Sequence, residues 1–562
     1  MSDRQWILKE RNEDDIEKLM KQFDISRICA SILSNRQQVL LGNSIANNAF
    51  YDSFLMLDMD KAVARIRKAI NNGEKITVYG DFDADGITST AVLHIYLQSL
   101  NANVDYYIPD RMEEGYGINE SALKIIQERG TTLIITVDTG ITAVDDINAV
   151  KMHGIDVIVT DHHEPKDVIP NCVAVINPKQ NGCQYPYKEL AGVGVVFKLI
   201  QALDNGETSE KLIREYLPFV CLGTIADVAP LTDENRLLVK YGLQLFTKSE
   251  NHGIQALLKA TGFTDKKITA SNIGFVIAPR INASGRLGSA KKSVEMFLCN
   301  DQLHADLIAQ ELAEENRHRQ QMEQDIYVQA IKIIEENNLA DNKVIVVASE
   351  GWHQGVIGIV SSKITEKYYK PSILITINDE GVGKGSGRST SSFSLFEALS
   401  NCSELLQKYG GHSLAAGLTI SVDNIKEFTR KINTYADLVM KEDDFTPKIF
   451  IDEIIQAEDL TINSVKQLKM LEPFGMGNPM PIFILQAPKI RLINASYDKK
   501  HIRMQLEKDG VMLDIIGFNQ GQHINDYRIG TIVDVVGNLD INVYHGVTKL
   551  QLLLKDIKKV PE

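Results

Sequence analysis

Hydrophobic and polar positions alternate in different ways along this chain, and each pattern predicts a different kind of domain. Between about residues 50 and 240, short apolar runs rich in β-branched residues alternate with longer amphipathic stretches. This alternation predicts a parallel sheet covered by helices, an α/β domain. The predicted strands are residues 75–80, 103–108, 132–138, 155–160 and 173–177, and the predicted helices are residues 87–100, 118–128 and 141–152.

Helical spacing then dominates to about residue 300, interrupted by a predicted loop at residues 278–286. Residues 301–338 contain no Gly or Pro and keep apolar residues at helical spacing. As one helix they would be about 55 Å long, a length that suits a connection between two domains. A second α/β unit follows, with predicted strands 343–348 and 372–377, a glycine-rich segment 381–388, and predicted helices 355–368, 394–409 and 423–440.

From about residue 445 the pattern turns mostly to period-two alternation, which predicts strands at residues 502–506, 511–516 and 550–554. Several short strands with a helix near their start indicate a small β-barrel such as an OB-fold. We therefore expect five segments: an N-terminal helical segment (1–45), a catalytic α/β domain (46–300), a connecting helix (301–338), a second α/β domain (339–444) and a barrel (445–562).

Composition limits the classes of protein to consider. The chain has 562 residues, 44% of them hydrophobic, with no apolar run of membrane-spanning length and no secretory signal pattern at its start. Its six cysteines are scattered, which argues against a disulfide framework and a cysteine zinc site and predicts a soluble, cytoplasmic protein. The net charge of −14 does not favour nucleic acid at first sight, although residues 480–562 carry a small excess of Lys and Arg.

Three clusters of acidic or histidine residues each follow a predicted strand of the first α/β domain. They are Asp81-Phe82-Asp83-Ala84-Asp85-Gly86, Asp138-Thr139-Gly140 and Asp161-His162-His163. Because the carboxyl ends of parallel strands lie along one edge of the sheet, these residues should converge on one pocket. Carboxylates resist sharing a pocket unless a cation lies between them. The sequence therefore predicts a metal site.

The predicted ligands are oxygen-rich with one or two imidazoles, a set that suits Mn²⁺, with Mg²⁺ next and Zn²⁺ possible. Asp227, a lone acid in an apolar stretch, is a further candidate, although a lone acid is more often a cap or a paired structural residue. Two ions about 3.5–4 Å apart are the arrangement used for phosphoester hydrolysis. A Ca²⁺ loop is disfavoured because Val92 falls where its twelfth-position Glu should stand. An aspartic protease is disfavoured because Asp-Thr-Gly occurs once, in an α/β context.

These motifs, in this order and followed by Ala226-Asp227-Val228-Ala229-Pro230, resemble the DHH phosphoesterase superfamily and, within it, the RecJ family of bacterial single-stranded-DNA-specific exonucleases. The resemblance extends over nearly the whole chain. It includes the further motifs Pro279–Gly288, Glu315–Gln320, Gly351–Gly358, Lys384–Ser389, Gly410-Gly411-His412 and Leu471–Pro479. Gly-Gly-His marks the family's DHH-associated substrate domain, and the last motif opens its OB-fold.

The resemblance implies a 5′→3′ exonuclease on single-stranded DNA that depends on Mn²⁺ or Mg²⁺ and acts in recombination and repair. It implies metal ligands at Asp81, Asp83, Asp85, Asp138, His162 and Asp227, and a phosphate contact at His163. The superfamily's first motif often begins with a histidine ligand, whereas Tyr79-Gly80-Asp81 stands there in this chain. This departure leaves open whether Asp81 binds metal directly. We expect a monomer, with a single-strand-binding protein and a helicase as candidate partners.

Basic and glycine-rich motifs are candidates for holding the DNA strand. We expect Arg280 and Arg286 to enter the cleft from a loop, because guanidinium groups hold phosphates with paired hydrogen bonds. The segment Lys384–Ser389 offers Lys384, Ser386, Arg388 and its backbone amides, and His412 could meet a 5′-terminal phosphate. A turn or a solvated surface is the competing interpretation for each motif. The aromatic residues Tyr116, Trp352 and Phe474 could stack on bases, although core packing is the commoner fate of an aromatic side chain.

Two alternatives to the exonuclease remain. One is a DHH phosphodiesterase for short oligonucleotides, cyclic dinucleotides or 3′-phosphoadenosine phosphate, which the predicted barrel disfavours. The other is a catalytically silent DNA-binding scaffold, which the intact candidate ligands disfavour.

Overall fold

The computed structural model describes residues 4–36, 50–110, 120–544 and 546–560. The chain divides into two compact units. The larger comprises residues 44–436 and 473–478, and the smaller comprises residues 1–43, 437–472 and 479–562. The predicted aromatic contact Tyr116 lies outside the described residues.

The N-terminal segment, predicted to be helical, begins with a strand. Its elements are β1 (Gln5–Leu8), α1 (Glu13–Phe23) and α2 (Arg27–Arg36). Strand β1 pairs in parallel with residues 448–451. Because this partner is distant in sequence, the local pattern around residues 5–8 does not predict the strand. Asn12 begins α1 by accepting a hydrogen bond from the Asp15 amide, a typical helix cap.

A five-stranded parallel sheet forms the core of the first α/β domain, with strand order β3-β2-β4-β5-β6. The strands are β2 (Ile76–Tyr79), β3 (Val104–Tyr107), β4 (Leu133–Val137), β5 (Asp156–Thr160) and β6 (Ala174–Ile176). Strands β2 and β4 are buried at every position, as expected for a sheet with helices on both faces. The predicted parallel sheet is confirmed.

Helices surround this sheet. Those within the βα alternation are α3 (Met59–Asn71), α4 (Ala84–Ser99), α5 (Glu120–Glu128), α6 (Val144–Met152) and α7 (Gly192–Leu203). Those that follow are α8 (Glu210–Ala226), α9 (Asp233–Phe246), α10 (His252–Thr261), α11 (Ala270–Asn272), a π-helical turn (Ile273–Ile277), α12 (Ala278–Leu287) and α13 (Lys291–Leu298).

Helix α12 corrects the loop predicted at residues 278–286. Helix α12 continues without a break from the π-helical turn, and Pro279 follows that turn, where the shifted backbone hydrogen bonds tolerate a missing N–H. Gly285 serves a close packing contact, since a Cβ there would lie 2.5 Å from the Phe82 carbonyl oxygen. Both residues read as loop signals in the sequence, but their positions within the helix make them compatible with it.

The long connecting helix is confirmed as α14 (Gln302–Glu336), 35 residues capped by Asp301. Its central part carries a buried charged pair between Arg319 and Glu323. Glu323 also pairs with Lys363 of the second α/β domain. The helix is therefore tied by charge to the domain that it leads into.

The second α/β domain has a mixed sheet of order β10-β11-β9-β8-β7. Its elements are β7 (Ile345–Glu350), α15 (Gln354–Tyr368), β8 (Ser372–Ile377), β9 (Val382–Arg388), α16 (Leu395–Ser400), β10 (Leu406–Gly411), β11 (Ala415–Ser421) and α17 (Ile425–Val439).

One prediction for this domain is wrong, and one segment for which no element was predicted forms a strand. The helix predicted at 394–409 ends at Ser400, and residues 406–411 form strand β10 instead. The glycine-rich segment 381–388 is strand β9 inside the sheet, paired on both sides. Its glycines allow this, because a Cβ at Gly383 or Gly385 would lie within 3 Å of Ile375 or Leu418 side-chain atoms. Tertiary pairing overrides the weak strand propensity of glycine.

The smaller unit contains a seven-stranded sheet of order β13-β14-β18-β19-β17-β16-β15. Its elements, with β12 paired to β1, are β12 (Lys448–Ile451), β13 (Glu453–Ile454), α18 (Ile462–Leu468), β14 (Phe483–Leu485), β15 (Lys489–Ala495), β16 (Ile502–Lys508), β17 (Val511–Gly517), β18 (Val533–Tyr544) and β19 (Val547–Lys559). Lys489 of β15 bridges to Ile532 beside β18, so the sheet curls back on itself. The predicted barrel is confirmed.

No helix in the described ranges is long and apolar enough to span a bilayer. All six cysteines are unpaired.

A buried ion pair connects α7 to α9. The Lys198 side chain has no exposed surface, and its Nζ lies 2.8 Å from Glu234 Oε1 and 2.7 Å from the Tyr51 carbonyl oxygen. The Tyr185 hydroxyl donates to the other Glu234 oxygen at 2.5 Å. Each charge is therefore stabilised only by its buried partners.

We predict that Lys198→Met lowers the free energy of unfolding of this domain by about 3–5 kcal/mol, because it leaves Glu234 buried without a counter-charge. Urea unfolding followed by circular dichroism measures the change. Lys61→Met is the control, since it removes an exposed lysine paired with Asp58 and should change little. Equal losses in the two variants would contradict the prediction.

Candidate metal centre

The three acidic clusters converge at the carboxyl ends of β2, β4 and β5. Their potential ligand atoms lie within 4.8 Å of one another in three groups. These groups are Asp81, Asp83 and Asp138; Asp85, His162 and Asp227; and Asp138, His162 and His163. All six residues predicted as ligands are thus brought together, with His163 beside them.

The first cluster is held by two helix N-termini. Asp83 caps α4, and its Oδ1 accepts hydrogen bonds from the Asp85 and Gly86 amides at 2.9 and 3.0 Å. Asp85 is buried, and its two oxygens accept from the Gly192 and Val193 amides at 2.7 and 2.9 Å. The positive end of the α7 dipole therefore stabilises Asp85.

The start of α7 was not found by sequence reasoning. A Cβ at Gly192 would lie 2.6 Å from both Cβ and Oδ1 of Asp138, so only glycine fits there. The available signal was Ala191-Gly192-Val193-Gly194, a glycine-rich entry into a helix within the α/β alternation.

Asp138 and His162 face each other, and each directs one buried polar atom toward the other. Asp138 follows β4 in a left-handed conformation (φ 60°), which aspartate tolerates better than most residues. Its Oδ1 lies 3.0 Å from His162 Nε2, yet both atoms are buried and neither has a hydrogen-bond partner among the described residues. A nitrogen and an oxygen lone pair directed into the same buried space fit a shared cation. The residues present therefore fit a metal centre.

The orientation of His162 is set by the backbone. The backbone of Leu190 hydrogen-bonds the ring. Nε2 lies 3.0 Å from Asp138 Oδ1 and 3.9 Å from Asp85 Oδ2, and Nδ1 lies 3.9 Å from Asp227 Oδ2. Burial, followed by the neighbouring His163, lowers the pKa of His162 to about 3. The ring is therefore neutral at physiological pH, as a nitrogen ligand must be.

Asp161 begins the third motif, but the sequence predicted no role for it. Its Oδ1 accepts from the His162 and His163 amides at 2.7 and 3.1 Å, and its Oδ2 accepts from the Ile141 amide at 2.9 Å. Asp161 Oδ1 also lies 2.7 Å from His163 Nδ1. It therefore holds the loop that carries both histidines, and it fixes the ring of His163.

His163 differs electrostatically from its neighbour. Burial would lower its pKa, but the hydrogen bond to Asp161 and the negative charges of Asp161, Asp227 and Asp83 outweigh burial and raise the pKa to about 9. The Asp161 carboxyl has a lowered pKa, because His163 and three backbone amides overcome its burial. The two adjacent histidines are therefore suited to different tasks, one as a nitrogen ligand and the other as a cationic donor.

The carboxylates themselves need a cation. Burial, then repulsion from neighbouring aspartates, raises the pKa of Asp85 and of Asp138 well above the usual range. The same two causes raise the pKa of Asp227 to about 7. Keeping these groups ionised in one buried site is costly without compensating positive charge.

The two predicted arginines lie on α12 rather than in a loop. Arg280 donates to the Val276 carbonyl oxygen, and its Nε is buried without a hydrogen-bond partner among the described residues. Burial, then the nearby charge of Arg317, lowers the pKa of Arg280.

Arg286 donates to the Gly355 carbonyl oxygen at 2.9 Å, which ties α12 to the start of α15. Asn282 Oδ1 accepts a hydrogen bond from the Ala84 amide at 2.8 Å, so α12 also supports the first acidic cluster.

The candidates of the second domain are arranged differently from the prediction. The backbone amides of β9 pair with β8 and β11, so this sheet uses the groups that were expected to hold phosphates. The side chains of Lys384, Ser386 and Arg388 alternate with glycines along β9. A Cβ at Gly358 of α15 would lie 2.8 Å from Ser386 Oγ and 3.2 Å from Arg388 Nη2, which places both beside that helix. His412 is exposed after β10, and its amide donates to the Ala415 carbonyl oxygen.

Trp352 and Phe474, the two other aromatic residues considered for stacking on bases, lie within the described part of the chain. Trp352 is buried, and its indole donates to Gln329, so it belongs to the core. Phe474 lies in residues 473–478, a segment that packs on the turn after Asp227: the Leu231 amide donates to the Met476 carbonyl oxygen at 2.7 Å.

Comparison with known proteins agrees with this architecture. The chain matches the DHH family, N-terminal domain, over residues 75–224, the DHHA1 domain over residues 341–437 and the RecJ OB domain over residues 451–556. It is 41% identical to the single-stranded-DNA-specific exonuclease RecJ of Bacillus subtilis, over 99% of this chain and 71% of that protein. The chain belongs to the RecJ family. The Escherichia coli RecJ is 34% identical, over 89% of this chain and 90% of its own length.

Solved RecJ structures resemble the whole chain. A crystal structure of RecJ with Mn²⁺ from Thermus thermophilus has a TM-score of 0.83 and 29% identity, covering 100% of this chain and 81% of that one. The structure of the same protein with Mg²⁺ has a TM-score of 0.77 and 28% identity, covering 99% and 79%. The predicted series of a parallel-sheet domain, a long helix, a second α/β domain and an OB barrel is thus confirmed as a RecJ architecture.

We predict that Gly192→Ala weakens Mn²⁺ binding by about 10–100-fold, because the new methyl group displaces the Asp138 carboxylate. Calorimetric titration with Mn²⁺ measures the affinity. Gly417→Ala, in the second α/β domain, is the control, because its Cβ would lie 3.7 Å from the Gly385 carbonyl oxygen, an ordinary contact. Unchanged affinity in the Gly192 variant would contradict the close approach of α7 to Asp138.

Proposed function

We propose that this chain hydrolyses single-stranded DNA from its 5′ end and releases 5′ mononucleotides, using Mn²⁺ or Mg²⁺. The observation that carries the proposal is the buried pair of unpartnered atoms, Asp138 Oδ1 and His162 Nε2, among converging carboxylates in a RecJ-family chain. Scattered unpaired cysteines and a ligand set drawn from one chain support a monomer in a reducing compartment such as the cytoplasm. A single-strand-binding protein and a helicase are the partners that we would test first.

Two metal positions account for the ligand groups. One would be held by Asp85, His162 and Asp227, and the other by Asp81, Asp83 and Asp138, which makes Asp81 a direct ligand. Asp138 lies close enough to His162 to serve both positions. When bound, the ions would activate water and neutralise charge on the attacking and leaving oxygens of the phosphodiester.

His163 would act directly on the substrate. Its Nδ1 lies 2.7 Å from Asp161 Oδ1, and the ring, whose pKa is raised to about 9, would donate a hydrogen bond to an oxygen of the scissile phosphate. Asp161 fixes the orientation of the ring and accepts hydrogen bonds from three backbone amides.

The phosphates near the 5′ end would be held between the two α/β domains. Arg280 offers a partly buried guanidinium with an unpartnered Nε, and Arg286 lies where α12 meets α15. Ser386 and Arg388 would add a hydroxyl and a second guanidinium beside α15. Lys384 and His412 are exposed and would contact phosphates only at the edge of this path. Side chains, rather than the backbone amides of β9, would make these contacts.

The barrel would bind the rest of the strand in a groove of 1020 Å³ across its sheet. Arg503 and Lys549 are exposed and line this groove together with the amide side chains of Asn494, Gln505 and Gln551. Two acidic side chains in or beside the groove accept hydrogen bonds from these amides: Gln505 donates to Asp514 at 2.9 Å, and Gln551 donates to Asp540 at 3.0 Å. Lys549 also lies 4.0 Å from Asp514, so the groove combines two cations and one acid with several amide side chains. Such a lining offers hydrogen bonds and positive charge to a flexible polyanion.

The alternative of a small-substrate phosphodiesterase fits the metal centre equally well. It does not account for the barrel, because a dinucleotide would be bound entirely within the α/β domains. The groove of the barrel therefore favours a long strand as the substrate.

Hydrolysis tests the proposal directly. Single-stranded and blunt duplex DNA, labelled at the 5′ or the 3′ end, are digested with Mn²⁺. We expect immediate release of 5′ mononucleotide from single strands only. Asp138→Asn and His162→Ala should each lower the rate by at least about 100-fold, because each removes a metal ligand.

Asp60→Asn is the control for charge, since Asp60 is an exposed acid of α3. Undiminished hydrolysis in the Asp138 and His162 variants would refute the metal centre. Cleavage of cyclic dinucleotides or short oligonucleotides, with long single strands left intact, would keep the centre and replace the substrate.

Strand binding by the barrel is tested in the Asp138→Asn background, where DNA is bound without being consumed. Arg503→Ala and Lys549→Ala should each weaken binding and reduce the slope of log affinity against log salt by about 0.7, the value expected for one lost phosphate contact. Fluorescence anisotropy with labelled oligonucleotide measures both. Lys448→Ala, a lysine of the same unit outside the groove, should leave the slope unchanged.

A further inference from the structure

One buried side chain connects the two backbone segments that support His162 and Asp227. Asn235, on α9, is completely buried. Its Nδ2 donates to the Glu189 carbonyl oxygen at 2.6 Å and to the Pro230 carbonyl oxygen at 3.1 Å. Because both partners are carbonyl acceptors, only the NH₂ group can occupy this position. Asn235 therefore joins two chain segments that are far apart in sequence.

The first segment supports His162 and Asp85. Glu189 directly precedes Leu190, whose backbone hydrogen-bonds the His162 ring. Two residues later, α7 begins and its first amides hold Asp85. A shift of Glu189 would therefore move the supports of two candidate ligands together.

The second segment supports Asp227. Asp227 ends α8 and is followed by Val228, which has a φ of 61°. This left-handed conformation is unfavourable for a β-branched residue and persists only where the surroundings enforce it. The Val228 and Ala229 amides close the turn by donating to the Ile225 and Thr224 carbonyl oxygens, each at 3.2 Å. The Pro230 carbonyl oxygen then ties the turn to its surroundings, because it accepts from the Tyr187 hydroxyl at 3.0 Å and from Asn235.

We propose that Asn235, assisted by Tyr187, is a positioning residue that sets the distance between His162 and Asp227. Those two side chains now approach to 3.9 Å, between His162 Nδ1 and Asp227 Oδ2, and they share a potential metal position with Asp85. Asn235 acts by holding Glu189 and Pro230 at a fixed separation against the strained turn at Val228. The inference rests on the metal centre of the proposed function and adds to it the residues that determine its geometry.

Mn²⁺ binding, rather than nuclease activity, is the test. Asn235→Ala should weaken Mn²⁺ binding by about 10–100-fold, the usual effect of removing a residue that orients a ligand. Calorimetric titration and the electron paramagnetic resonance signal of free Mn²⁺ measure this at a temperature where the metal-free variant is folded. Asn433→Ala is the matched control: Asn433 bonds both backbone groups of Val344 in the second α/β domain, far along the chain from the ligands.

A second substitution tests the part played by the strained turn. In the Asn235→Ala background, Val228→Gly should restore part of the Mn²⁺ affinity, since glycine adopts a positive φ without strain. Val228→Ala should restore less, because alanine retains a Cβ. Equal effects of the two would overturn the role of the strain.

The remaining outcomes are distinct. If wild type binds Mn²⁺ and the Asn235 and Asn433 variants bind it equally well, the inference is wrong and the metal centre stands. If wild type does not bind Mn²⁺, the proposed function fails as well. Should Asn235→Ala not fold, Tyr187→Phe removes only one donor to Pro230, and we expect a several-fold loss of affinity. Unchanged affinity in that variant would equally overturn the inference.

Discussion

Buried negative charge at one edge of a parallel sheet is the constraint on which the larger unit depends. Asp85 and Asp138 are almost fully buried beside Asp81, Asp83 and Asp227. Part of their charge is offset by the N-terminus of α7 and by the cap of α4, and the rest calls for a cation. The affinity of the site for divalent ions follows from this imbalance. If the protein itself compensated the negative charge fully, this cluster would attract a divalent ion only weakly.

Close packing of helices around the acidic clusters keeps this arrangement in place. Gly192 allows α7 to approach Asp138, and Gly285 allows α12 to approach Phe82 between two candidate ligands. A Cβ at Gly223 of α8 would lie 2.4 Å from Thr88 Oγ1 and 2.8 Å from Asp85 Oδ1. In each case glycine removes the side chain that would push a helix away from the site. The ligands are thus positioned by the backbone of helices that contribute few ligands themselves.

In the second domain, the predicted phosphate-binding segment has a different structure from the one expected. Lys384, Ser386 and Arg388 were expected to bind phosphates together with the backbone amides of their segment, but they lie on a strand whose amides are paired within the sheet. A strand holds alternate side chains on one face at regular spacing. Such an array presents a hydroxyl and two cations in fixed positions, which a mobile loop would not do.

The sequence by itself determined the sheet that carries the site, the long helix, the barrel and the acidic and histidine residues that converge as candidate metal ligands. Those features depend on local patterns, namely β-branched runs, helical spacing and acids placed directly after strands, and a strand end fixes where its next residues lie. Only the tertiary structure decided the contacts of Asp161, Gly192 and Asn235, the helix at 278–287 and the strands at 382–388 and 406–411. Each of these depends on a partner distant in sequence, either a pairing strand, a carbonyl oxygen or a carboxylate that leaves no room for a methyl group. Local propensity carries no information about such partners, so they became visible only when the chain was folded.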